Sequence, residues 1–94
     1  REAGRMRFDV LVEVSLRSGI ADPQGATVER SLPRLGFVEV HGVRVGKAIR
    51  FAIDAADQEA ARQRVDELCR RFLTNPVLED ATVTLAPAQD GAYA

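Results

Sequence analysis

Cysteine, histidine and aromatic side chains are all scarce in this chain of 94 residues. A single cysteine, Cys69, excludes an internal disulfide and suits a reducing compartment. Four phenylalanines and one tyrosine near the C-terminus, with no RNP-type motif, weigh against a sheet that stacks RNA bases. A formal charge of −1 offers no electrostatic footprint for nucleic acid or for an anionic membrane. The longest apolar runs fall far short of the roughly 20 residues that a membrane span requires. The segment Arg1 to Arg7 also lacks the apolar stretch of a secretory signal. These absences predict a cytoplasmic protein with no nucleic-acid partner and no membrane partner.

What is present reads as one α+β domain of order β-α-β-β-α-β. Phe8, Val10, Val12, Val14 and Leu16 alternate with Asp9, Glu13 and Ser15, the period of a half-buried strand. Asp22-Pro23 starts a helix: the aspartate caps, and proline suits a first helical position whose N–H has no partner. Val28, Leu32 and Leu35 follow at helical spacing, Gly36 is a C-terminal cap, and Pro33 predicts an early end or a kink. Phe37 to Val45 reads as a second strand with a bulge at Gly42, turning through Gly46-Lys47 into a third, Ala48 to Ile53. Asp54 or Asp57 caps the next helix, whose inner stripe is Ala61, Val65, Leu68 and Phe72. On its outer face Arg62–Asp66, Asp66–Arg70 and Glu67–Arg71 stand at i,i+4. Asn75-Pro76 stops that helix, and Ala81 to Leu85 supplies a last strand. The expected division is a disordered lead-in over 1–7, a domain over 8–85 and a flexible tail over 86–94. The order predicts a ferredoxin-like antiparallel sheet with two helices on one face.

A search for chemistry finds none. His41 reads as a partly buried strand histidine, because a catalytic base needs a nucleophile or metal beside it. Cys69 lies next to Leu68 on a helix and reads as a structural thiol, since reactive thiols need an electropositive, accessible setting. No spacing of His, Cys, Asp and Glu matches a metal site, so the expected catalytic and metal residues are none. Gly42 to Lys47 is not a phosphate loop: three residues separate its glycines, and Ala48 follows the lysine. A domain of this kind reads as a binding or interaction module.

Three phrases sharpen that reading: Asp22-Pro23-Gln24-Gly25, Val43-Arg44-Val45-Gly46-Lys47 and Asn75-Pro76-Val77-Leu78-Glu79-Asp80. In this order, within so short a chain, they resemble the PurS family from about Phe8 to Leu85. That family is the small subunit of phosphoribosylformylglycinamidine (FGAM) synthase in purine biosynthesis. The resemblance implies a non-catalytic homodimer that bridges an ATP-dependent synthetase subunit, PurL, and a glutaminase subunit, PurQ, and supports ammonia transfer from glutamine. It implies no cofactor on this chain, with ATP and magnesium used by the complex. Carried onto these residues, it implies partner contacts for Gln24, Arg44 and Lys47, whose side chains capping and turn formation do not need. Asp22, Pro23, Gly25, Gly46, Asn75 and Pro76 are backbone-shaping residues of the same phrases. Pro33 departs from the family's usual first helix.

Dimerisation has separate support, since a four-stranded sheet leaves two edges to cover and apolar residues exceed the needs of one small core. Sheet extension or exchange of an element between copies would meet that need. The competing reading is a small-molecule sensor of the ACT type, which shares the β-α-β-β-α-β order. Against it, the loop Arg17 to Ala21 holds one glycine where such sensors have a glycine-rich loop.

Overall fold

The computed structural model describes residues 5–88; most of the expected lead-in and tail lies outside the described residues. Three antiparallel strands form one sheet in the order β2-β1-β3, with β1 (Met6–Leu16) central, β2 (Lys47–Ala55) on one side and β3 (Glu79–Pro87) on the other. Val12 lies opposite Ile49 on β2 and Val83 on β3, so like residues meet across the sheet. Phe8, Val10, Val12 and Val14 are fully buried, as the alternation predicts.

Helix α2 (Gln58–Leu68) covers that face and buries Ala61 and Val65 against it. Its N-terminus is capped by Asp57, whose Oδ1 accepts from Ala60 N at 2.8 Å. Asp54, the other candidate, is paired instead with Arg7 at 2.8 Å. Of the expected i,i+4 pairs, Glu67–Arg71 forms at 2.9 Å, and Glu67 also binds Arg64 at 2.7 Å. Cys69 is 5% exposed, and burial pushes its thiol pKa up, the state of a structural cysteine. The α+β class and the ferredoxin-like arrangement are therefore present.

Two elements depart from the expected order. Phe37 to Val45 is not a strand, and Gly46-Lys47 is not a hairpin turn; Lys47 is simply the first residue of β2. The reason lies in helix α1 (Pro23–Ser31), whose side chains take the donors that a ladder would have used. Glu29 Oε1 accepts from Val43 N at 3.0 Å, and Asp22 Oδ2 accepts from Val45 N at 2.9 Å. Gly42 therefore bends a loop, at φ 68°, and makes no bulge. His41, expected as a half-buried strand residue, is exposed on that loop.

The second departure concerns α1, which does not join α2 on the sheet. Its principal packing is against the short 3₁₀ turn Pro33–Leu35 that follows it. Pro33 ends the helix early as expected, and Gly36 closes the turn at φ 95°. The described chain measures 57 × 30 × 17 Å, an arm projecting from a small sandwich. Val28, Leu35, Phe37, Val38 and Val40 all stand exposed along that arm.

Candidate subunit interface

The three phrases, far apart in sequence, meet at the end of β1 where the chain leaves the sheet. Asp22, Pro23 and Gln24 line one side of a concavity of about 340 Å³, Val45, Gly46 and Lys47 another, and Glu79 a third. Val14, Ser15 and Leu16 form its floor.

Asp22 is the keystone of this corner. Its Oδ1 accepts from Gly25 N at 3.0 Å, which caps α1, while Oδ2 accepts from Val45 N. Both bonds require an ionised carboxylate, and they hold its pKa below the ordinary aspartate value. Pro23 occupies the first helical position. Gly25 is buried because a Cβ there would collide with the carbonyl oxygen of Val43 and lie 2.6 Å from Asp22 Oδ2. Gly46 has the same role on the strand side, where a Cβ would lie 2.5 Å from Val14 O. The first two phrases thus lock together through backbone contacts that larger residues would block.

The third phrase closes the corner from β3. Asn75 Oδ1 accepts from Val77 N at 3.1 Å, and Glu79 Oε1 accepts from Asn75 N at 2.8 Å. Arg17 N donates to Leu78 O at 2.8 Å, which ties this turn to the end of β1.

Of the three side chains expected to contact partners, Gln24 and Lys47 are exposed on the concavity. Arg44 is exposed but also braces the corner: its Nη2 donates to Leu16 O at 2.8 Å. Two residues of this corner were missed from sequence. Glu79 lines the concavity, and Glu29 binds the loop; neither has a local signal, because each acts on backbone brought near by the fold. Among the described residues no group of three or more His, Cys, Asp and Glu stands close enough to hold a metal ion.

The family model described as "PurS: Phosphoribosylformylglycinamidine (FGAM) synthase" matches residues 9–87. The chain belongs to the PurS family. The PurS subunit of Methanothermobacter thermautotrophicus is 38% identical over 80 residues, covering 85% of this chain and 94% of that protein. The crystal structure of the Thermotoga maritima PurS subunit superposes with a TM-score of 0.79 at 34% identity, covering 85% of this chain and 92% of that one. A chain in the structure of PurLQS from the same organism also gives 0.79 at 34% identity, with 85% and 98% covered. PurS membership gives the ACT-type sensor reading no support, and it fits the three phrases as one conserved-looking corner only in the sense that the fold unites them.

Proposed function

We propose that this chain is the small assembling subunit of FGAM synthase and holds a PurL synthetase subunit and a PurQ glutaminase subunit in register. The observation that supports it most directly is its likeness, over 98% of that chain, to a component of a PurLQS assembly. In this reading the synthetase consumes ATP with magnesium, the glutaminase releases ammonia, and PurS keeps the two sites apposed. Confinement then replaces a diffusing ammonia molecule by one at high effective concentration and shielded from water. The setting is the cytoplasm.

The corner concavity is the contact surface in this proposal, with Gln24 and Lys47 as its accessible polar groups. Arg44 contributes both by bracing the corner and by its exposed guanidinium. Replacing Arg44 and Lys47 by alanine weakens assembly with PurL and PurQ while the fold persists. Titration of the double variant into the two partners checks this, and unchanged affinity removes both residues from the interface.

The working form in this reading is a homodimer. Phe37 to Val45 has strand-like alternation but no ladder partner in its own chain, and the outer edge of β2 has none either. Exchange of that segment between two copies supplies both and covers the apolar arm. Sedimentation that shows only monomer at micromolar concentration contradicts the dimer.

A further inference from the structure

Helix α2 continues beyond Leu68 as a single π turn, Cys69–Leu73, closed by Thr74 N donating to Cys69 O at 3.0 Å. The turn resets the helical phase. At about 100° per residue, Phe72 would lie within roughly 20° of Val65 and Leu73 about 80° away, so Phe72 should be the buried one. The structure has the reverse: Leu73 packs on the core, and Phe72 is 80% exposed, the highest value among the large apolar residues described. A π turn is a rare element that recurs at functional sites. Here its effect is to turn an aromatic ring away from a core that its position in an α-helix would have given it.

The ring has a charged collar. Phe72 shares a concavity of about 320 Å³ with Leu68, Arg64, Arg71 and Glu67, whose carboxylate accepts from both arginines. A two-fold contact between copies centred on Phe72 would oppose four guanidinium groups with only two carboxylates among them. Such a surface suits a partner of opposite charge. We propose that Phe72, with Leu68 beside it and Arg64 and Arg71 at its rim, docks into an apolar pocket rimmed by carboxylates on a partner subunit of the synthase. An exposed aromatic flanked by arginine is the composition of an interface anchor. The proposal rests on the assembling-subunit reading and assigns it a second contact surface, separate from the corner.

The test uses the full chain with purified PurL and PurQ subunits. Phe72→Ala should weaken assembly by at least about 30-fold, the range of an interface anchor, while Phe72→Tyr, which keeps the ring, retains most of the affinity. Circular dichroism and sedimentation of the chain alone should match the unsubstituted protein for both variants. Equal assembly by Phe72→Ala and the unsubstituted chain overturns the proposal and leaves the assembling reading intact. Loss of fold in Phe72→Ala would make Phe72 a core residue, and a changed sedimentation coefficient would assign it to contacts between copies; either result also overturns it. Failure of the unsubstituted chain to assemble overturns both readings together.

Discussion

Replacing Gly25 by alanine sets two opposed effects against each other. In an ordinary helix interior the change stabilises by about 1 kcal/mol, because alanine has the higher helix propensity. Here the added Cβ meets the carbonyl oxygen of Val43 and lies 2.6 Å from Asp22 Oδ2, inside the 3.0 Å that real Cβ contacts respect. One obstacle is backbone, so no side-chain rotation relieves it, and α1 must move away from the loop. Overpacking of this kind costs about 1–3 kcal/mol, and a rigid obstacle favours the upper part of that range. The net expectation is a loss of about 1–2 kcal/mol in place of the usual gain. Displacement also stretches the bonds from Val43 N to Glu29 and from Val45 N to Asp22, now 3.0 and 2.9 Å. Urea denaturation measures the first effect, and amide exchange at Val43 and Val45 measures the second, with faster exchange expected at both. A variant stabilised by about 1 kcal/mol, with unchanged exchange at those amides, would refute the packing of α1 against this loop.

Gly46→Ala forces a Cβ against Val14 O of the central strand, so it lowers the urea midpoint, and a larger side chain lowers it further. Val65 is fully buried between α2 and the sheet; Val65→Ala costs about 2–3 kcal/mol by the same measurement, with a value under 0.5 ruling out its place in the core. The lowered pKa of Asp22 means that its two bonds stabilise the corner above the ordinary aspartate pKa and are lost as pH falls through the depressed one. Exchange at the Val45 amide, corrected for its intrinsic rate, should therefore become less protected below about pH 4, and Asp22→Asn should abolish that acid step.

Local signals in the sequence were enough for much of the fold. The alternation from Phe8 to Leu16 marks the central strand and its buried face, and Asp22, Gly36 and Asp57 mark helix ends where the structure has them. Phe37 to Val45 misled because its alternation is real, whereas its backbone donors are claimed by Asp22 and Glu29 on a helix that precedes it. Nothing local distinguishes a strand that pairs in its own chain from one that does not. The π turn was hidden for a related reason: Phe72 and Leu73 are both apolar, so periodicity favours Phe72, and only packing selects Leu73. The candidate site was legible as three phrases but not as one place. Their convergence on a single concavity depends on the register of β1 with both neighbours.

The central claim, that this PurS chain assembles FGAM synthase, is tested most directly by glutamine-dependent FGAM formation with purified PurL and PurQ from the same organism. The account predicts full activity only when this chain is added, and none from this chain alone. Equal rates with and without it, from partners each shown competent, would contradict the assembling role.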